Sequence, residues 1–100
     1  MKNTEIETPK IGDILQEEFL DPLGLSAYRL AKEINVSTST ILDLVHNRRK
    51  ITVEMALRLS RYFGNSAKFW LNLQNDLDLR NISQKVSAEL DDIKKYEHSA

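Results

Sequence analysis

The apolar residues of this 100-residue chain recur at spacings of three and four along almost its whole length. That spacing places them on one face of an α-helix, whereas a half-buried strand requires strict alternation. Serine, threonine, asparagine and glycine interrupt the pattern where helices begin and end. The sequence therefore predicts an all-α protein of five or six short helices.

Capping residues divide this pattern into predicted helices. The first helix is expected to stop before Pro22, because proline lacks the backbone N–H of a continuing helix. Later helices are expected to begin at hydroxyl N-caps, which accept a hydrogen bond from the first turn. The predicted caps are Ser26, Ser37, Thr52, Ser66 and Ser83. Asn35 suits a left-handed turn after the second helix, and Gly64 suits the end of the fourth.

The composition is that of one compact soluble protein. Hydrophobic residues make up 41% and charged residues 29%, with no cysteine, which excludes disulfides and makes a cytoplasmic location the natural expectation. No apolar run approaches the roughly 18 residues of a membrane span, and no signal peptide or membrane partner is expected. We predict a tail over residues 1–10, a helical domain over 11–80, and a C-terminal helix and tail over 81–100.

The net charge of −1 conceals a basic middle segment. Residues 26–63 carry seven basic and three acidic side chains, whereas residues 1–25 carry two basic and six acidic ones. Residues 64–100 are nearly balanced, with five basic and six acidic side chains. Any electrostatic contact with nucleic acid is therefore expected in the middle of the chain.

The second and third predicted helices are separated only by Asn35 to Ser37, and so short a connection forces a sharp crossing. Ala31 lies on the inner face of the second helix, where a small side chain lets the third helix approach. The apolar anchors of the pair are Leu30, Ile34, Val36, Ile41 and Leu44. These features meet the requirements of a helix-turn-helix, whose second helix enters the major groove of DNA.

Four hydroxyl residues open the third helix, namely Ser37, Thr38, Ser39 and Thr40. At the positive end of a helix they would face a polyanion, and their hydroxyls both donate to and accept from base edges. Asp43 lies one turn further along the same face and can accept from a cytosine amino group. Alternatively, Ser37 is simply a cap, the other hydroxyls form a solvent-facing turn, and Asp43 is a solvated acid.

A polar loop follows the third helix at the place where the backbone of a bound duplex would pass. It consists of Asn47, Arg48, Arg49 and Lys50. A basic run of this kind is usually a solvated loop, but beside a recognition helix it is the best candidate for phosphate contacts. We therefore predict that these four residues contact phosphates.

Three stretches within residues 11–80 carry a family resemblance: GDILQEEFLDPLGLSAYRLAKEINVS, NRRKITVEMALRLSRYFGNSAKFWLNLQ and DLDLR. They resemble the HigA antitoxins, Xre-type helix-turn-helix proteins once described as virulence-associated protein I. The resemblance implies a lambda-repressor-like DNA-binding domain. It also implies a homodimer that represses its own operon at a palindromic operator and neutralises an mRNA-cleaving ribonuclease toxin of the HigB type. It implies no enzymatic activity and no cofactor.

The chain departs from the family pattern at a few helix starts. Many relatives have glutamine after the cap of the second helix, where it can bind a phosphate, and this chain has Ala27. Val53 and Ala67 replace prolines that relatives often carry, a change that affects only helix starts. The alanine puts one phosphate contact in doubt and transfers that role to Arg48 and Arg49.

The fifth predicted helix carries more apolar residues than one buried stripe requires. We predict that Trp70, Leu73 and Leu77 form a dimer interface, with the alternative that they belong to the core of the monomer. The acidic segment from Glu5 to Asp21 suits a mask for the basic surface that a ribonuclease needs for RNA. No residue is assigned to the toxin contact.

Three other function classes compete with this interpretation. A stand-alone Xre-type regulator would read DNA in the same way without a toxin, and a helical interaction module would have lost DNA binding, for which Ala27 is the only hint. An enzyme is disfavoured, because His46 and His98 lack the neighbouring residues of a catalytic or metal site. The carboxylate pairs at 17–18 and 91–92 are adjacent in sequence and therefore diverge on a helix.

Overall fold

Helices make up the regular structure of the computed structural model, which describes residues 8–97. The first helix, α1, runs through three consecutive segments, Ile11–Ile14, Leu15–Leu20 and Asp21–Leu23. The others are α2 (Ala27–Ile34), α3 (Thr38–Val45), α4 (Val53–Phe63), α5 (Ala67–Lys85) and α6 (Ser87–Asp91). The described range contains no strand, and the prediction of an all-α fold is confirmed.

Two sequence predictions fall partly outside residues 8–97. His98 and the beginning of the acidic segment, including Glu5, lie outside the described residues. Within the described range, no helix combines the length and the apolar character that crossing a bilayer requires.

Hydroxyl side chains begin four of the helices as predicted. In each case the side-chain oxygen accepts a hydrogen bond from the backbone N–H three residues later, a cap that stabilises a helix by about 1 kcal/mol. The four caps are Ser26, Ser37, Thr52 and Ser66. Asn35 and Gly64 follow α2 and α4 with left-handed φ angles of 61° and 79°, also as predicted.

The prediction that the first helix stops before Pro22 is wrong. The segment Leu15–Leu20 is π-helical, and the backbone N–H of Asp21 donates to the carbonyl of Gln16, five residues back. A wider turn moves the preceding carbonyls away from the proline ring, which would clash with them in a regular α-helix. The helix therefore continues through Pro22 and ends at Gly24, which has a left-handed φ of 61°.

The predicted helix start at Ser83 is also wrong. Helix α5 continues through this position to Lys85, and the Ser83 hydroxyl donates to the carbonyl of Leu79 in the same helix. Serine can bond back to the preceding turn inside a helix as readily as it can cap one. The domain boundary expected at residue 80 therefore falls within a continuous helix.

One apolar core joins helices α1 to α5. Its largest fully buried side chains are Leu15, Leu20, Leu30, Ile41, Leu44, Leu59 and Trp70. The Trp70 ring lies 4.7 Å from that of Phe19 and 6.0 Å from that of Phe63, and its Nε1 donates to Asn65 at 2.9 Å. This aromatic cluster packs α5 against α1 and α4.

The prediction that Trp70 and Leu77 form a dimer surface is wrong. Their exposed fractions are 0% and 6%, so they have almost no area left to bury against a second copy. Leu73 is half-buried and packs against the same core. The surplus of apolar residues on α5 lies elsewhere on the helix.

Candidate nucleic-acid interface

The turn between α2 and α3 is closed by backbone hydrogen bonds. The N–H of Val36 donates to the carbonyl of Ala31 at 3.0 Å, and the N–H of Asn35 donates to that of Lys32 at 3.4 Å. This pair of bonds around a left-handed residue is a Schellman motif, which ends α2 sharply. Arg58 of α4 adds a third bond, from its Nη1 to the carbonyl of Ile34 at 2.8 Å. The crossing that places α3 is therefore held by the turn itself and by α4.

The hydroxyl run forms a connected group at the start of α3. The Oγ of Ser37 accepts from the Thr40 backbone N–H at 3.2 Å and lies 2.8 Å from the Thr40 Oγ1. The Ser39 hydroxyl lies 3.1 Å from the same Ser37 oxygen. Thr38 and Thr40 are half-buried, and Ser37 and Ser39 are exposed. Ser37 is thus a cap, and its own bonds orient the neighbouring hydroxyls at the surface.

Asp43 and Arg48 form an ion pair beside this helix face. Nε of Arg48 lies 3.2 Å from the Asp43 carboxylate, and the Arg48 side chain is 60% exposed. The terminal guanidinium nitrogens make no hydrogen bond within residues 8–97. Because only Nε is engaged, the guanidinium stays beside α3 with its outer donors available to an anion.

Asn47 has a structural position that the sequence prediction missed. It adopts a left-handed φ of 61°, and its side chain accepts from the Gly12 N–H at 2.8 Å and donates to Asp13 at 3.0 Å. A Cβ at Gly12 would lie 2.1 Å from the carbonyl oxygen of Leu44 and 2.5 Å from the Asn47 Oδ1. The predicted phosphate contact of Asn47 does not fit this geometry, because both ends of its amide are engaged in holding α1 to the end of α3.

The rest of the basic loop divides into a tethered end and an exposed residue. Lys50 pairs with Asp78 of α5 at 2.5 Å. Next to it, the buried side chain of Gln74 accepts from the Ile51 N–H at 2.7 Å and donates to the Ile51 carbonyl at 2.9 Å. Arg49 is exposed and makes no ion pair within the described residues. Arg48 and Arg49 are thus presented on a loop anchored at both ends.

The outward face of α2 offers fewer contacts to an anion. Ala27, in the first turn, has no side chain that can form a hydrogen bond. Nε of Arg29 donates to Glu33 at 2.6 Å, and this hydrogen bond, together with the Glu33 charge, raises the pKa of Arg29 above its ordinary value. On α2, Arg29 is therefore engaged by Glu33 and Lys32 lies 5.9 Å from the Tyr28 ring, whereas the loop after α3 carries the exposed Arg48 and Arg49.

Comparison with known proteins agrees with this geometry. Residues 16–70, more than half of the chain, match the helix-turn-helix family. Virulence-associated protein I of Dichelobacter nodosus is 51% identical over 80 residues, covering 78% of this chain and 74% of the relative. Antitoxin HigA-1 of Vibrio cholerae is 32% identical over 89 residues, covering 89% of this chain and 84% of the relative. The chain belongs to the HigA family of helix-turn-helix proteins.

The likeness to this family extends to the three-dimensional structure. The Pseudomonas aeruginosa antitoxin HigA, solved with the higBA promoter, matches with a TM-score of 0.81 at 35% identity. The match covers 90% of this chain and 99% of that chain. The overall fold of this chain is therefore that of the HigA antitoxins.

Several residues that position this HigA-type surface were missed by the sequence analysis. Gly12 lies inside a helical pattern, where a glycine can signal the close approach of another backbone. Gln74 lies four residues after Trp70 and three before Leu77, and an uncharged polar residue on a buried helix face usually bonds to a backbone group. Arg58 carried no such signal, because its target carbonyls on α2 are distant in sequence.

Proposed function

We propose that this chain is the antitoxin of a type II toxin–antitoxin pair. As a homodimer it represses its own operon at a palindromic operator, and it also binds and neutralises an mRNA-cleaving toxin of the HigB type. The observation that supports this most strongly is the hydroxyl-bearing first turn of α3, together with the exposed Arg48 and Arg49 on the loop that follows the same helix. The HigA protein solved with promoter DNA shares this fold.

In this proposal α3 lies in the major groove with its N-terminal turn toward the bases. Thr38, Ser39 and Thr40 contact base edges, and the threonine methyl groups suit thymine methyls. Ser37 contributes chiefly as the cap that orients them. Asp43 accepts from a cytosine amino group or repels mismatched contacts to phosphate, and its ion pair with Arg48 couples that role to the phosphate contacts.

Phosphate contacts come from the loop after α3. Arg48 and Arg49 supply the exposed guanidinium groups. Lys50 supplies an ammonium group that also stays paired with Asp78. Such contacts set the position of the protein on the duplex, and the α3 contacts then select the sequence. Both sets are held by α1 and α5, so the surface is largely formed before DNA arrives.

Operator binding is tested directly with the unmodified protein. A gel shift uses a duplex from the region upstream of its own gene, with an excess of unrelated duplex of equal length as competitor. We expect the specific complex to persist through the competition, because specific sites bind about 10³–10⁷ times more tightly than random DNA. Equal displacement by both duplexes would contradict a sequence-specific repressor.

The toxin is tested separately from the operator. If a small basic reading frame lies next to this gene, its product is expected to co-purify with the chain and to lose RNA cleavage in the complex. The absence of such a product, combined with specific operator binding, would favour the stand-alone regulator. The two tests therefore separate the two halves of the proposal.

A second copy of the chain is expected to cover an apolar stripe on α5 and the segment after it. Its members are Leu79, Val86, Leu90 and Ile93. They recur at helical spacing, and Leu79 and Ile93 are 68% and 69% exposed. Val86 lies between α5 and α6, so these residues do not share one continuous helix face. Exposed apolar residues grouped along one part of a chain are nevertheless typical of an interface, and major-groove reading by a dimer requires its two copies of α3 to lie about 34 Å apart, one DNA turn.

The double variant Leu79→Glu with Ile93→Glu is expected to convert the dimer to a monomer. Both side chains are exposed in the single chain, so helical content should be retained while two carboxylates oppose burial at the interface. Light scattering at micromolar concentration measures the outcome. Leu23→Glu, an equally polar change at another exposed leucine, is the control and should remain dimeric. A monomeric parent, or a dimeric double variant, would exclude this surface.

A further inference from the structure

A basic groove lies beside the loop that follows α3. It encloses about 650 Å³ between the segment that precedes α1, the loop after α3 and the C-terminal part of α5. One wall is closed by a hydrogen bond from Asn81 of α5 to the carbonyl of Pro9, at 3.3 Å. Three separate parts of the chain thus form a groove that continues directly from Arg48 and Arg49.

The charge of this groove is strongly positive. Five of its lining side chains are cationic, and they are Lys10, Arg48, Arg49, Lys50 and Lys85. Among residues 8–97, Asp78 is the one acidic residue that lines it, and it is paired with Lys50. Within residues 8–97, no carboxylate lies within ion-pair distance of Lys10 or Lys85. These two lysines come from elements outside the helix-turn-helix, and neither forms an ion pair with another residue of the described range.

We propose that this groove binds a second stretch of the sugar–phosphate backbone of the operator duplex, with Lys10 and Lys85 as phosphate contacts. The inference rests on the proposed operator binding and extends it to residues outside the helix-turn-helix. A groove with this charge repels a cationic partner, so it does not suit the basic surface of a ribonuclease. Its continuity with the loop favours an anion that already lies along Arg48 and Arg49, which is the DNA backbone.

The test is a salt titration of operator binding by the double variant Lys10→Gln with Lys85→Gln. The slope of log K against log salt is negative, and each lost phosphate contact reduces its magnitude by about 0.9. A dimer that loses four contacts therefore has a slope smaller in magnitude by about 3.6. The control is Lys68→Gln with Lys94→Gln, which removes the same charge from exposed lysines outside the groove. Ethylation interference on the same duplex identifies the phosphates involved.

We expect the slope to fall for the groove variant and to change little for the control. In addition, interference should be lost at phosphates that the Arg48 and Arg49 variants leave unaffected. An unchanged slope would overturn the proposal, because the groove lysines would then contact no phosphate. Equal losses of slope in both variants would also overturn it, because the effect would then be one of overall charge. Binding of a short polyglutamate peptide that depends on the groove, with DNA binding unchanged, would assign it to an acidic protein segment instead. If the parent itself shows no specific operator binding, the proposed function fails first.

Discussion

Replacing both Arg48 and Arg49 by alanine is expected to weaken operator binding by roughly a thousandfold. A net contact is worth about 1 kcal/mol, and one contact for each arginine in both subunits gives about 4 kcal/mol. The side chains are exposed and neither holds the loop, which is anchored through Asn47 and Ile51. The loss should therefore occur without unfolding, and the salt slope should fall with the affinity.

The matched control for this experiment is Arg61→Ala with Arg80→Ala. Both are exposed arginines outside α3 and its loop, so the net charge changes equally. A gel shift over a range of salt concentrations, with circular dichroism to confirm folding, compares the two proteins. If the loop variant binds no worse than the control, the loop is not part of the interface.

Gln74→Leu is expected to lower the free energy of unfolding by roughly 2–4 kcal/mol. Leucine cannot replace the two hydrogen bonds of the Gln74 amide, so the N–H and carbonyl of Ile51 remain buried without partners, at about 1–3 kcal/mol each. For a chain of this size that loss corresponds to a fall in Tm of roughly 10–20 °C. The effect is large because both hydrogen bonds are buried, and both join the loop after α3 to α5.

Thermal and urea denaturation measure this effect. Gln84→Leu, the same chemical change at an exposed position on α5, is the control and should melt near the parent. If Gln74→Leu melted at the same temperature as this control, the Gln74 amide would contribute nothing to holding the loop. The loop after α3 would then not be anchored to α5.

Local chemistry explains why much of the fold was predictable from sequence. Ser26, Ser37, Thr52 and Ser66 act within one turn of their own positions, and so does the left-handed turn at Asn35. The short connection before Ser37 also left little freedom in how α2 and α3 cross. These features depend on neighbouring residues, and sequence periodicity reports neighbouring residues well.

The errors came from contacts between distant parts of the chain. Asn47 was predicted to face phosphate because it lies beside two arginines, yet its amide is engaged by Gly12 and Asp13, more than thirty positions earlier. Trp70 was predicted at a surface because the excess of apolar residues on its helix cannot indicate which of them face inward. The aromatic rings of Phe19 and Phe63 decide that question.

A third kind of error came from backbone geometry. Pro22 normally ends a helix, and the π-helical segment before it depends on how the preceding turn packs, which residue types alone do not report. Ser83 has the same side chain as three of the four true caps and bonds instead to the preceding turn. In both cases one residue type is compatible with a helix end and with a helix interior, and the tertiary structure selects between them.

The central claim is that the first turn of α3 reads bases. It is tested most directly by selecting preferred duplexes from a random pool with the parent and with Thr38→Ala plus Ser39→Ala. We expect the variant to lose preference at specific base pairs, by about 1–3 kcal/mol per contact, while its salt slope stays unchanged. Ser87→Ala, a hydroxyl loss on α6, serves as the control. If the variant returned the operator sequence of the parent with the same stringency, α3 would not be the reading element.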